Sequence, residues 1–301
     1  MTVGKGKWCL AAIVVVAAWL PVAASFADNG KIAVIDDIGQ MVSLARPAKR
    51  IVSLSPHITE LLFEAGAGSS IVGAVDYSDY PQAAKQLLRV GSANRLDVET
   101  ILSLRPDLIV AWHSGNTVQD LQMISRFGIP IFYSEPRSLD QIASNLSRLG
   151  ILTGYQEKAD RKARIFRQRL RLLDDSYRHR KKLAVFFQLW DQPLMTINGK
   201  HILNDVMDLC GARNIFADLS SLTPTVSREA VIQQKPYAIV ATDVSLERLK
   251  LEWKDYTRIP AVQADNYFVL SADLLHRQGP RLLEGARQLC LAIEKARQRQ
   301  S

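Results

Sequence analysis

One phrase occurs twice in this chain, 130 positions apart. Residues 98–111 read VETILSLRPDLIVA, and residues 228–241 read REAVIQQKPYAIVA. In each copy a glutamate, Glu99 or Glu229, opens an amphipathic turn, and seven residues later a proline, Pro106 or Pro236, ends it. Val98, Ile101, Leu102 and Leu104 keep helical spacing, whereas residues 108–111 and 238–241 are apolar without interruption, as in a strand covered on both faces. Helix, break and buried strand are written twice. The period lies far beyond the roughly 20 to 50 residues of a solenoid unit, so the repeat predicts two similar α/β lobes.

A length of 301 residues agrees, since a single core of that size is unusual. In the first half, strands are expected over 51–54, 71–75 and 130–133, with helices over 58–65 and 117–127 that stop at Gly66 and Gly128. Such alternation requires a mostly parallel sheet with covering helices. Residues 156–179 contain neither Gly nor Pro, and Ala159, Ala163, Ile165, Phe166, Leu170 and Leu173 recur near helical spacing. One stiff helix therefore replaces a flexible linker. The second half restarts with a strand over 183–187, turns at Asn198-Gly199, and carries helices over 202–209 and 280–297. The expected division is a leader at 1–27, lobes at 28–153 and 182–301, and a linking helix within 154–181.

The leader rests on Lys5 and Lys7 before an apolar run from Trp8 to Ala24, followed by Ser25-Phe26-Ala27. Cleavage is expected before Asp28, with Val22-Ala23-Ala24 as a second site, and no cysteine follows the run to take a lipid. A soluble exported protein is the expectation; an uncleaved membrane anchor is the alternative, although the run barely spans a bilayer. Export leaves Cys210 and Cys290 as an even pair in an oxidising compartment, fit for one disulfide or for two buried thiols. The formal charge of +8 becomes +6 once Lys5 and Lys7 are subtracted, and the excess lies between Lys158 and Lys182. With no aromatic interleaving, that stripe reads as a solvated helix face and not as a nucleic-acid surface.

Enzyme motifs are missing: there is no GxSxG, Walker loop, GxGxxG, HExxH or paired CxxC, and the five histidines are scattered. What is present is a set of large side chains on loops after predicted strands, where open α/β sheets present ligand sites. Tyr77 and Tyr80 in VDYSDYP, Trp112 in AWHSGN and Trp190 in FFQLWDQP are of this kind, and Asp273, Leu274, Leu275 and His276 occupy an equivalent late loop. Flat side chains with few charges suit a bulky, partly apolar ligand, or they plug the gap between lobes.

Together these phrases resemble the periplasmic cobalamin-binding proteins of ABC importers, within the wider class of iron-siderophore, haem and cobalamin receptors. The resemblance runs from KRIVSLSPHITELLFEAGA through VDYSDYP, LRPDLIVAWHSGN, INGKHILNDVMDLCGARNIFADL and VSREAVIQQKPYAIV to RQGPRLLEGARQLC. It implies two Rossmann-like lobes on one rigid helix with little hinge motion, a corrinoid in the interlobe cleft, and a Cys210–Cys290 disulfide. It further implies that Tyr77 and Trp112 touch the corrin, that Asp273 is a cleft acid, and that Glu99 and Glu229 are lobe-tip carboxylates meeting permease arginines. A helix-starting role for both glutamates stands beside this. Trp190, Leu274 and His276 complete the expected ligand set. No cofactor or bound metal is expected, and the partners are an ABC permease with its ATPase, the chain itself being a monomer. Ala93, Thr223 or its neighbour, and Leu274 depart from the aromatic cage of such receptors, with Trp190 as partial compensation.

Two alternatives stay open. Haem would want an axial ligand such as Tyr77, His113 or His276, and an anionic ferric siderophore would want Arg95 and Arg277. An exported enzyme with a site assembled from separated residues is the alternative outside the binding proteins.

Overall fold

Both copies of the repeated phrase fold as a helix and an interior strand in the computed structural model, which describes residues 1–2 and 32–299. The helix Val98–Ser103 is capped by Asp97, whose carboxylate accepts from the Thr100 N–H at 3.0 Å. Its counterpart Arg228–Gln234 is capped by Ser227, whose hydroxyl accepts from the Ala230 N–H at 3.2 Å. Caps of this type satisfy amide groups that the first helical turn leaves without partners. Arg105 and Lys235, directly before the two prolines, both adopt φ 47°. That left-handed step takes the chain out of each helix and towards the strands Leu108–Trp112 and Ala238–Thr242.

Two units separate along the chain, Met1–Gly30 and Lys31–Ser301, and both lobes belong to the second. The expected leader lies outside the described residues, Met1 and Thr2 excepted. Each lobe carries a four-stranded parallel sheet. Across the first run Ile71–Ala74, Ile51–Ser53, Leu108–Trp112 and Ile131–Ser134; across the second run Ala212–Asn214, Leu183–Gln188, Ala238–Thr242 and Tyr267–Leu270. Numbered within its own lobe, each sheet has the order 2-1-3-4. The winding reverses between strands 1 and 3, and at such a switch point the loops leave a crevice beyond the carboxyl ends of the strands.

A helix over Gln156–Tyr177 passes between the lobes, two residues shorter than its sequence pattern. It buries Ala159, Ala163 and Phe166, while Ile165 and Leu172 stay exposed and the rest of its outer face is polar and mostly charged. It packs on Pro56–Ala65 of the first lobe and on Ile202–Leu209 and Leu282–Gln298 of the second. Gly150 lets the helix Leu139–Thr153 come against it, because a Cβ there would stand 2.3 Å from that of Ala159. One apolar core runs through both lobes, joining Ile58 and Leu61 to Val206, Leu282 and Leu289. Cys210, at the end of Ile202–Leu209, is disulfide-bonded to Cys290 of the last helix, 80 residues on.

Among the elements that the sequence pattern does not mark are an early hairpin and the helix that follows the first sheet. The hairpin Ile32–Ile35 with Met41–Leu44 is fastened through Asp37, whose carboxylate accepts from the Glu135 N–H at 2.6 Å and from Asn145 at 2.8 Å and pairs with Arg148. The helix Leu139–Thr153 starts with a capping box of Ser138 and Gln141, a signal that the phrase SLDQ does carry.

Candidate functional site

A cavity of about 900 Å³ opens where the switch points of the two sheets meet. Trp112 and Ser114 reach it from the end of strand 3 of the first lobe. Gln188 ends strand 1 of the second lobe, with Leu189 and Trp190 after it, and Thr242 ends its strand 3, with Asp243 after it. His201, His276 and Gln278 close the remaining wall. The size falls within the range of small-molecule sites.

Trp112 is held from three sides. Its ring meets the buried His57 edge-on at 5.6 Å, and a Cβ on Gly115 would fall 1.9 Å from the indole, so only glycine leaves room for the ring. Asn116, buried, accepts from the Trp112 backbone N–H at 2.7 Å and donates to the carbonyls of Leu54 and Ala93, each at 2.8 Å. Asn116 therefore fastens three chain segments together behind Trp112. Burial pushes His57 down to about 3, so its ring is neutral. Trp190 stands on the short ladder Trp190–Asp191 with Leu194–Met195. Its indole N–H donates to the Gln192 carbonyl at 3.0 Å, which leaves the ring face as what it offers a ligand.

The wall is short of free cations. Arg248, among the described lining residues, pairs with Asp191. Burial first, then the nearby His276 and Arg137, push His201 down to about 4, and burial likewise lowers His276. His276 Nε2 lies 3.0 Å from the Thr242 hydroxyl. Among the described residues no group of three or more His, Cys, Asp or Glu is placed to hold a metal ion.

Of the residues singled out in the sequence, Trp112, Trp190 and His276 come together on this wall, and Thr223 joins them. Tyr77, Asp273 and Leu274 do not line it. Tyr77 is 79% exposed, at φ 62° in the loop after Ile71–Ala74. Asp273 is turned to Arg277 Nη2 at 2.7 Å, and the Leu274 backbone lies against Gly285. Tyr80 lies under Arg281, 4.1 Å from guanidinium to ring centroid. Glu99 and Glu229 are exposed at the second position of equivalent helices, and neither forms an ion pair among the described residues. Missed by the sequence were His201, Gln278 and Asn116; only Asn116, in a GN pair directly after an aromatic loop, had a local signal.

Comparison with known proteins fits this geometry. The chain is 41% identical over 248 residues to a vitamin B12-binding protein of Yersinia pestis (strain Pestoides F), covering 82% of this chain and 86% of that one. Its fold superposes on the periplasmic vitamin B12 binding protein of Vibrio cholerae with a TM-score of 0.78 and 36% identity, covering 83% of this chain and 98% of the other. A periplasmic haem-binding protein from Roseiflexus sp. RS-1 gives a TM-score of 0.72 at 25% identity, covering 83% and 99%. These relatives are binding proteins, so the enzyme alternative falls away. Residues 51–274 match the periplasmic binding protein family, and the chain belongs to that family.

Proposed function

We propose that this protein captures one corrinoid, cobalamin or a close relative, in the interlobe cleft and delivers it to an ABC permease driven by its ATPase. The observation that carries this is the chemistry of the wall: two indoles, Trp112 and Trp190, with amide and hydroxyl groups, the carboxylate of Asp243, and no uncommitted cation among the described lining residues. A broad corrin fringed with uncharged carboxamides suits such a wall through contact area and hydrogen bonds. Haem propionates or an anionic siderophore would want cations. Arg277 is committed to Glu60, Asp79 and Asp273, and Arg95 lies off the wall.

The lobes at 28–153 and 182–301, with 154–181 between them, act as one rigid receptor in this scheme. Glu99 and Glu229 are the docking carboxylates, one on each lobe, for arginines on the two halves of the permease. The mature protein works as a periplasmic monomer after loss of residues 1–27. A ligand panel tests the proposal: cyanocobalamin and cobinamide should quench tryptophan emission at one equivalent, while haemin should give no protein-bound Soret band. The reverse pattern would make haem the ligand.

A further inference from the structure

The geometry points to His201 as a ligand-selecting residue whose Nε2–H donates into the cleft to an uncharged acceptor oxygen, a carboxamide carbonyl of the corrinoid. The inference rests on the corrinoid function proposed above. His201 is the N-cap of Ile202–Leu209, and its Nδ1 accepts from the Leu203 N–H at 3.1 Å. That hydrogen bond occupies the Nδ1 lone pair, so the neutral ring carries its proton on Nε2. His201 lines the cleft, as do Thr223, Thr242 and His276, and its Nε2 has no hydrogen-bond partner among the described residues.

A ring with its Nδ1 in the cap and a proton on Nε2 has no lone pair to give a metal, so it is not an axial ligand for cobalt. A ring held neutral by burial, and pressed further that way by His276 and Arg137, offers no charge to a carboxylate. What remains is a single N–H fixed in direction by its cap. A neutral carbonyl oxygen is the partner that such a donor favours.

The test separates donation from capping. Asparagine is a strong N-cap but too short to reach the cleft, and aspartate caps equally well with no N–H to offer. His201→Asn and His201→Asp should melt near the wild-type temperature and bind cyanocobalamin about tenfold more weakly, the effect of one lost hydrogen bond in a desolvated site. Aquocobalamin bound to the wild-type protein should keep a visible spectrum without the signature of imidazole coordination. Wild-type affinity in both variants would reduce His201 to a cap and overturn the inference. An imidazole-coordinated spectrum in the wild type that the variants lose would overturn it in favour of cobalt ligation. A wild-type protein that binds no corrinoid would instead sink the parent function.

Discussion

Glu60 and Arg281 form a two-pronged ion pair across the seam between the lobes: Oε1 accepts from Nη2 at 2.6 Å and Oε2 from Nε at 2.9 Å. Arg277 joins them, its Nη1 lying 3.1 Å from Glu60 and 2.7 Å from Asp79, with Asp273 on its other nitrogen. Glu60 sits in Pro56–Ala65 of the first lobe and is 3% exposed. Asp273, expected at the ligand, is thus engaged with the pair that joins the lobes.

Removing Glu60 would strip two partly buried guanidinium groups of a shared partner. Breaking a buried pair on one side typically costs about 3 to 5 kcal/mol. Because Arg277 and Arg281 keep some contact with solvent, Glu60→Ala is expected near the lower end, about 3 kcal/mol, in urea unfolding. A loss below about 0.5 kcal/mol, the usual size of a surface effect, would show the seam to be held by its apolar core alone.

Stability should fall in mild acid because of His57. Its ring is buried, with Nδ1 2.7 Å from the Ser55 hydroxyl, and it takes a proton only at about 3 when folded, against 6.5 when unfolded. Between those values the unfolded chain holds the extra proton, so stability rises with pH through that window and is lost as pH falls through it. The slope from one such group reaches at most about 1.4 kcal/mol per pH unit. Urea unfolding of His57→Asn between about pH 4 and 6 should show a shallower slope than wild type; parallel slopes would contradict this.

The Cys210–Cys290 bond closes a loop across 80 residues. On the chain-entropy account, a loop of that size stabilises by about 4 kcal/mol. Cys210→Ala with Cys290→Ala should therefore lower the unfolding free energy by about that amount while leaving ligand affinity in place. A loss under about 1 kcal/mol would mean that the last helix is held by packing alone.

The lobes were legible in the sequence because the repeat marks the same interior strand in both, and because Pro106 and Pro236 mark the break. The matching 2-1-3-4 orders were not, since Ala212–Asn214 is a three-residue edge strand with an exposed Arg213 and no periodicity to read. Trp112 and Trp190, which line the cavity, were picked out by the rule that ligand sites lie beyond strand ends. The same rule selected Tyr77, which follows strand 2 at the sheet edge, away from the switch point. His201 and Gln278 lie on no strand end. They reach the cleft through the assembly of the second lobe, which no local pattern encodes.

Docking should be separable from capture. Glu99 and Glu229 follow equivalent caps, Asp97 and Ser227, and line no part of the cleft. Rim charges of this kind set register and encounter rate, and they weaken with salt. Glu99→Arg with Glu229→Arg should leave corrinoid affinity unchanged and abolish uptake in vesicles containing the permease. Normal uptake by the double variant would confine both residues to starting their helices.

Calorimetric titration of residues 28–301 with cyanocobalamin, run beside haemin and repeated on Trp112→Ala, tests the capture of a corrinoid most directly. One corrinoid per chain is expected, with the variant weaker by about 1 to 3 kcal/mol at a nearly unchanged melting temperature, as for the loss of an aromatic anchor. No heat with cyanocobalamin, alongside tight haemin binding, would contradict it.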